Sequence, residues 1–335
     1  MKSLFVKLFA RPYTPVPVDW EQVSSVLIRP IGTGLGDAVV LSAVCLQLKK
    51  AYPACKIGVL VSPRNFPIFK RVKEVDVCIK DTFLSWLKNR RKYEIMLDYQ
   101  PTFTTRTILA DFLLKPGYKI CFEKTPKKYY TPQTIKNYHF YVPQLAAAHL
   151  SQSLTLTPFA PYVDAKNPTY ALLKPAPKKF PFWPTDKMAI LVCPFGSDRQ
   201  LNRGELVDLL THLSRLYRAQ FICPFAPEKY PLPADLPIIY TGPVSLDDFL
   251  TLIAQADLCL AVDSAAVHLA CAYYTPLVAF YSGWERNFKL FAPLDKTCAV
   301  CSRTPAGGPV IQIDNWPPET ALAICARTLA SFAKM

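Results

Sequence analysis

The sequence predicts an α/β protein made of two doubly wound, Rossmann-like domains that face each other across a cleft. The chain has 335 residues, more than a single hydrophobic core usually serves. Short apolar segments alternate with segments of helical periodicity, which is typical of a parallel sheet with helices on its faces. The alternation stops in a proline-rich stretch and then begins again. We therefore expect domains at residues 1–165 and 187–335, joined by a linker at 166–186.

In the first half, strands and helices alternate from residue 26 onward. The predicted strands are residues 26–28, 57–61, 75–79, 94–98 and 119–122. The predicted helices are residues 38–51, 66–72, 82–92, 104–114 and 141–150. Residues 125–137 are polar and basic, which favours a loop. The first eleven residues are basic and apolar but too short for a signal peptide, so we expect a frayed tail, with contact to a membrane surface as the alternative.

The second half repeats the pattern. Its predicted strands are residues 188–193, 220–224, 238–240, 258–262 and 277–281. Its predicted helices are residues 204–217, 246–255, a segment beginning at Ser264, and 319–332. Ser245 with Asp248 has the spacing of a helix capping box.

The net charge indicates which binding partners the protein attracts, and the cysteine content indicates the redox state of its compartment. A formal net charge of +14 attracts polyanions, an anionic membrane surface or a phosphorylated saccharide. The basic clusters at 88–92 and 124–128 are either solvated surface or a binding site for an acidic acceptor. They lack the interleaved aromatic residues that are typical of nucleic-acid-binding modules. Eleven scattered cysteines indicate a reducing compartment. Cys298 and Cys301 lack the further cysteine or histidine ligands that a zinc site requires. No apolar run is long enough for a transmembrane helix.

The segment from Asp263 to His268 joins a predicted strand to a predicted helix. Ser264 has the position and chemistry of an N-cap, and His268 follows it by one helical turn. A helix N-terminus accepts an anion such as a diphosphate. The alternative is a capped helix with a buried histidine that is hydrogen-bonded to Asp263 or to the backbone.

A second loop of interest follows the first strand. Gly32, Gly34 and Gly36 allow close backbone approach to a ligand, although their spacing is not that of the dinucleotide fingerprint. Asp37 ends this loop at the carboxyl end of a strand, where ligands of doubly wound sheets bind. The alternative is that Asp37 caps the next helix.

Four segments in order along the chain resemble glycosyltransferase family 9, the lipopolysaccharide heptosyltransferases, which have the GT-B fold. Residues 25–37 (SVLIRPIGTGLGD) are similar to its opening strand and L-G-D loop, followed by a helix and residues 50–53 (KAYP). Residues 95–100 (IMLDYQ) with Arg106 resemble its D-x-Q segment, and residues 193–199 (CPFGSDR) its phosphate loop. Residues 263–270 (DSAAVHLA) resemble its D-S-G-x-x-H-x-x-A signature, with Ala265 in place of glycine. Arg199 and Leu201 stand where the family has lysine and tryptophan.

The resemblance implies roles for individual residues. Asp37 is the expected catalytic base of a single-displacement reaction. The expected donor-binding residues are Gly36, Gly196, Ser197, Arg199, Asp263, Ser264, Ala265 and His268. Less specific acceptor-binding candidates are Arg64, Arg106, Lys127 and Lys128. No metal site is expected, since Arg199 and a helix N-terminus stand in for a divalent cation.

The resemblance further implies an inverting, metal-independent glycosyltransferase with no cofactor. It moves a heptose-type sugar from a nucleotide sugar, ADP-heptose, to an acidic, lipid-linked inner-core saccharide of lipopolysaccharide. We expect a cytoplasmic protein that makes peripheral contact with the anionic inner membrane face. Two alternatives stay open at this stage: a GT-B enzyme or epimerase acting on another nucleotide sugar, and a non-enzymatic protein that binds polyanions.

Overall fold

The computed structural model describes residues 2–330, with the side chains of residues 4–330. The chain divides into two compact units, and the boundary between them falls between Leu173 and Lys174, inside the stretch predicted as a linker. Residues 157–187 contain no helix or strand. Each unit is built on its own parallel sheet with helices on its faces, so the predicted α/β class with two Rossmann-like halves is confirmed.

The first unit has a six-stranded sheet in which all strands are parallel. Its strands are β1 (Ser25–Arg29), β2 (Lys56–Val61), β3 (Val77–Lys80), β4 (Ile95–Asp98), β5 (Tyr118–Phe122) and β6 (Phe140–Val142). Its helices are α1 (Lys2–Phe9), α2 (Leu35–Ala51), α3 (Phe66–Phe69), α4 (Phe83–Lys88) and α5 (Thr105–Leu114). The strand order is β3-β2-β1-β4-β5-β6, which reverses direction between β1 and β4.

The second unit repeats this order with a later set of strands. They are β7 (Met188–Cys193), β8 (Gln200–Leu201), β9 (Ala219–Cys223), β10 (Ile238–Tyr240), β11 (Leu258–Val262), β12 (Leu277–Gly283), β13 (Ala299–Pro305) and β14 (Gln312–Ile313). The helices are α6 (Arg203–Leu216), α7 (Leu246–Gln255), α8 (Ala265–Tyr273), α9 (Glu285–Phe291) and α10 (Pro318–Leu329). The sheet order is β10-β9-β7-β11-β12-β13, and β8 pairs separately with β14.

The central strands explain why the alternation of strands and helices could be predicted from the sequence. Strands β1 and β11 are buried along nearly their whole length, because helices cover both faces of each sheet. Their sequences are therefore nearly continuous apolar runs. In both sheets the order reverses beside the central strand, and ligands of such sheets bind outside the carboxyl ends of the strands at that point. The loop at 30–34 follows β1 there, and Asp263 follows β11.

Three predictions about elements are wrong. Residues 141–150 do not form a helix: residues 140–142 are edge strand β6, because aromatic and β-branched side chains there precede Pro143, and two 3₁₀ turns follow. Residues 2–9 are not a frayed tail but helix α1. Phe5, Val6 and Phe9 of this helix pack on a buried cluster of the first unit. Third, the helix predicted at 82–92 ends at Lys88.

Several elements escaped sequence analysis altogether. Strand β13, helix α9 and the small β8–β14 sheet were not predicted. The last helix, predicted to reach residue 332, ends at Leu329; residues 331 and 332 lie outside the described part of the chain. Among residues 2–330, no helix combines the length and the apolar character that crossing a bilayer requires.

Candidate functional site

Asp37 lies in the first turn of α2, not at its N-cap. The N-cap is Gly34, whose backbone is extended and which supplies no side chain. The half-buried Asp37 carboxylate folds back over the loop: a Cβ placed on Gly34 would come 2.8 Å from its Oδ2, and one on Gly32 3.5 Å. These two glycines leave room for the carboxylate. Gly36 lies beside it in the same turn, so the L-G-D segment forms the end of the helix that faces the loop.

The loop after β1 is fixed from both sides by amide side chains. Gln100, which follows β4, donates from Nε2 to the carbonyl oxygen of Pro30 at 2.9 Å. Asn65, which follows β2, donates from Nδ2 to the carbonyl oxygen of Gly32 at 3.1 Å. Beside the loop is a cavity of about 280 Å³, whose lining includes Gly32, Gln100 and Arg106. The carboxyl ends of three adjacent strands therefore surround one cavity, which Gly32 and Thr33 of the loop before Asp37 help to line.

Beneath this loop lies a buried ion network. Its cations are Arg29, Lys119 and Lys124, its carboxylates are Asp98 and Asp111, and none of the five is more than 4% exposed. Arg29 contacts Asp98 at 3.2 Å and Asp111 at 2.7 Å, Lys119 contacts both carboxylates, and Lys124 lies 3.4 Å from Asp98. Burial alone favours a neutral Asp98, but Lys124, Arg29 and Lys119 hold the pKa of Asp98 well below its usual range.

The network corrects one interpretation of the sequence. Lys124 was grouped with the basic cluster at 124–128 as solvated or acceptor-binding, but it is buried. Its ammonium donates to the carbonyl oxygens of Asp98 and Gln100. Lys124 therefore positions the D-x-Q segment from below and is not available to an acceptor.

Three of the four predicted acceptor-binding cations line cavities of the first unit. Arg106 contacts Asp81 at 3.0 Å and stacks over the Trp86 ring at 4.8 Å, so its guanidinium is already oriented. Lys127 and Lys128 are exposed on a tight turn and line a second cavity of about 370 Å³. Thr104 lines both cavities, which makes them neighbours. Arg64 is exposed beside Asn65.

In the second unit, the loop after β7 packs against the turn after β11. A Cβ on Gly196 would come 3.2 Å from Cβ of Ser264 and 3.6 Å from the carbonyl oxygen of Asp263. The Gly196 N–H donates to the carbonyl oxygen of Arg199 at 2.7 Å, which closes the loop. Exposed Ser197 stands at its tip. The two segments predicted to hold the donor are therefore adjacent in space.

Arg199 and Asp263 form an ion pair at this junction. The Arg199 guanidinium donates to Oδ2 of Asp263 and, from Nε, to Asp198 at 3.0 Å. Asn287 of α9 donates from Nδ2 to the same Asp263 oxygen at 2.6 Å. Burial raises the pKa of Asp263, against the opposing effects of Arg199 and Asn287. Arg199 is thus held in place by carboxylates, with its side chain 17% exposed.

The turn that opens α8 has the predicted cap. Ser264 is the N-cap, and its Oγ accepts from the Ala266 N–H at 3.3 Å. Ala265 begins the helix. His268, one turn further, is only 3% exposed, with the Phe291 ring edge-on at 6.4 Å. The structure therefore puts His268 in the interior behind the helix N-terminus.

The structure also places Leu201 and the cysteine pair Cys298 and Cys301. Leu201, which stands where the family has tryptophan, is buried in the core of the second unit, and its carbonyl oxygen accepts from Tyr230. Cys298 and Cys301 are half-buried, and burial raises the pKa of Cys298 to about 12, which disfavours a metal-binding thiolate. Within residues 2–330 no three His, Cys, Asp or Glu side chains come close enough to share a metal ion.

Comparison with known proteins bears on the identity of this site. The model of the family "Glycosyltransferase family 9 (heptosyltransferase)" matches residues 223–307, which include the Asp263 turn. An Escherichia coli K12 protein named "Putative lipopolysaccharide heptosyltransferase 4" is 28% identical over 291 residues, covering 78% of this chain and 76% of that protein.

Solved structures agree on the fold. The E. coli ADP-heptose lipopolysaccharide heptosyltransferase II aligns with a TM-score of 0.65 at 16% identity, over 92% of this chain and 99% of that one. A family 9 glycosyltransferase from Veillonella parvula aligns with a TM-score of 0.68 at 11% identity, over 93% and 98%.

This chain is a glycosyltransferase, and it resembles those of family 9. Its two Rossmann-like units are the halves of the GT-B fold, and the alternative of a non-enzymatic polyanion-binding protein is set aside. Asn287 contacts the Asp263 carboxylate of the candidate site, and sequence analysis missed it. It lies on a short helix with no recognisable pattern, 24 residues from the carboxylate that it contacts.

Replacing Asn287 by Ala is expected to destabilise the second unit by about 1.5–3 kcal/mol, because a buried carboxylate loses a charge-assisted hydrogen bond. Chemical denaturation measures this change. Nucleotide affinity, measured by calorimetry, should fall as well, because Asp263 and Arg199 lose their anchor. Gln220→Ala is the control: its amide donates to the carbonyl oxygen of Pro237, away from the site, and nucleotide affinity should be unchanged. Equal affinities in the two variants would contradict a role for Asn287 in the site.

Proposed function

We propose that this enzyme transfers a heptose from ADP-heptose to an acidic, lipid-linked inner-core saccharide of lipopolysaccharide, with inversion and without a metal ion. The observation that carries the proposal is the Asp37 carboxylate, held over the glycine loop at the carboxyl end of the central strand and beside a preformed cavity. A base in such a place has room for an acceptor hydroxyl next to it.

In this mechanism Asp37 accepts the proton of the acceptor hydroxyl as the acceptor oxygen attacks the anomeric carbon. The bond from that carbon to the diphosphate breaks in the same step, so the configuration inverts. Asp37 lies in the first turn of α2, where backbone N–H groups carry partial positive charge. Arg106 and the pair Lys127 and Lys128 line the cavities that would receive an acidic acceptor.

The leaving diphosphate requires positive charge or dipoles, which the second unit provides. The N-terminus of α8 offers backbone N–H groups at Ser264 and Ala265. Arg199 supplies a guanidinium suited to bidentate phosphate contact, provided that phosphate competes with Asp198 for it. Gly196 and Ser197 lie on the loop beside it, and Asp263 orients Arg199. These groups would stabilise the departing charge without a divalent cation.

ADP-heptose at 100 times its dissociation constant is expected to stabilise the fold by about 2.7 kcal/mol, a rise in Tm of about 5 °C or more. UDP-sugars at the same concentration should leave Tm unchanged. Thermal shift in the presence of EDTA measures this, followed by a transfer assay with an inner-core acceptor. If another nucleotide sugar raised Tm and ADP-heptose did not, that other sugar would be the donor. Activity that EDTA abolishes and Mg²⁺, Mn²⁺ or Fe²⁺ restores would overturn the metal-independent route.

Gly34→Ala and Gly32→Ala form a matched pair that tests the position of Asp37. The Cβ at residue 34 would lie 2.8 Å from Oδ2 of Asp37 and must displace the carboxylate, whereas 3.5 Å at residue 32 is ordinary contact. We expect Gly34→Ala to lower kcat about tenfold or more, and Gly32→Ala to change it less than about twofold. Steady-state kinetics with circular dichroism as a folding check measure both. Equal effects would show that the carboxylate's placement is not what matters.

A further inference from the structure

Three helices of the first unit lie on one face of its sheet. The connections β3-α4-β4 and β4-α5-β5 run in the opposite direction to β1-α2-β2 and β2-α3-β3. Because crossovers between parallel strands are right-handed, α4 and α5 cover one face, and α2 and α3 the other. Helix α1 joins the former, since Phe9 packs edge-on against Phe112 of α5 with ring centroids 5.0 Å apart. We refer to the outer surface of α1, α5 and α4 as the outer helical face.

The outer helical face exposes large apolar side chains from each of its helices. On α4, Leu84 is 67% exposed; on α1, Leu4 is 61% and Leu8 51% exposed; on α5, Phe112 is 44% exposed. Phe83 and Leu87, also on α4, are 51% and 41% exposed. These side chains do not complete the core, because the buried residues of the same helices, such as Trp86 and Ile108, already do so. A cluster of exposed apolar groups on this scale indicates a contact surface.

The charge that accompanies these side chains has one sign. Residues 4–11 and 83–92 contain no Asp or Glu. Lys7, Arg11 and the cations of residues 88–92 are exposed. Arg90 ties its loop to α5, donating to the carbonyl oxygens of Phe112 and Leu113. The basic cluster is therefore attached to the apolar surface as its rim.

We propose that the outer helical face binds an anionic phospholipid bilayer. Leucine and phenylalanine side chains enter the boundary between headgroups and acyl chains, and lysine and arginine side chains meet the phosphates at that level. Each lysine or arginine near an anionic surface contributes about fivefold to partitioning onto it. The single sign of the rim charge complements the uniformly negative phosphates and headgroups of such a bilayer. None of the exposed apolar or basic side chains named on this surface lines the two cavities of the candidate site, and binding needs no sugar or nucleotide.

Vesicle sedimentation of the full chain tests the proposal without any substrate, so its result is independent of the proposed transfer. The vesicles are phosphatidylcholine alone, or a 3:1 mixture with phosphatidylglycerol. We expect binding to the mixed vesicles that weakens in 0.5 M salt. Leu84→Gln/Leu87→Gln and Lys88→Gln/Lys92→Gln should each lower the partition coefficient about tenfold or more. The control Leu216→Gln/Ile311→Gln removes two side chains of similar exposure in the second unit and should change it less than about twofold.

Two outcomes would overturn the proposal. One is equal binding of the wild type and the outer-face variants to mixed vesicles, with circular dichroism showing all of them folded. The other is a dimer by light scattering that Leu84→Gln/Leu87→Gln dissociates, together with no vesicle binding by the wild type; a second copy of the chain then covers this face.

Discussion

Asp37→Asn is expected to lower kcat by about 10²–10⁴-fold, a loss of about 3–5 kcal/mol of transition-state stabilisation, while donor affinity stays within about twofold of the wild type. The amide has nearly the shape of the carboxylate but cannot accept the hydroxyl proton. Apart from Gly36, whose backbone the substitution does not alter, the expected donor-binding residues belong to the second unit and stay in place. Single-turnover transfer measures the chemical step, and calorimetry measures donor binding.

The substitution also separates the two roles that the sequence left open for Asp37. A residue that only stabilises the first turn of α2 through the helix dipole would cost about 0.3–1 kcal/mol of stability and leave kcat intact. Asp81→Asn is the matched control, because Asp81 lines the same cavity but its carboxylate is paired with Arg106. We expect that variant to raise the acceptor KM and to leave kcat nearly unchanged. Full activity of Asp37→Asn would end its assignment as the base.

The fold was predictable where burial and periodicity agree. Strands β7 and β11 are buried apolar runs, and the helix that begins behind Ser264 has its cap in the sequence, so these elements match the structure closely. The failures lie where tertiary contacts decide. Helix α1 is too short to be stable alone and forms because Phe5 and Phe9 pack on the first unit. The segment at 140–142 is a strand because β5 offers it an edge.

For the site, local signals identified segments but not the side chains that support them. Gly196 and the Asp263 turn could be found because each motif is contiguous, and the structure brings them together. The role of Lys124 could not be found in this way, because a lysine within a run of basic residues is normally solvated. Its carboxylate partner, Asp98, lies 26 positions earlier, at the end of strand β4. Asn287 was missed for the same reason: its effect is exerted through a contact that no local pattern encodes.

The second large effect is expected from the buried network under the glycine loop. Asp98→Asn removes one of two carboxylates that face three buried cations, leaving Lys124 without its ionic partner. Breaking a buried ion pair from one side costs about 3–5 kcal/mol. We expect a loss of that size in the free energy of unfolding of the first unit at pH 7, measured by urea denaturation. Asp186→Asn, in an exposed pair with Arg218, is the control and should cost less than about 1 kcal/mol.

A double variant and a pH series test the cause of that loss. Asp98→Asn/Lys124→Met restores the balance of charge and should recover at least about 1 kcal/mol of the loss, although two carbonyl oxygens lose a donor. The pKa of Asp98 in the folded protein lies well below its unfolded value of about 3.9. Its contribution to stability is therefore present above that value and is lost as the pH falls through and below it. The wild type and Asp98→Asn should accordingly converge in stability below about pH 4. A gap that stays constant down to pH 3, or a double variant less stable than Asp98→Asn, would mean that packing around residue 98 dominates and that its charge does not.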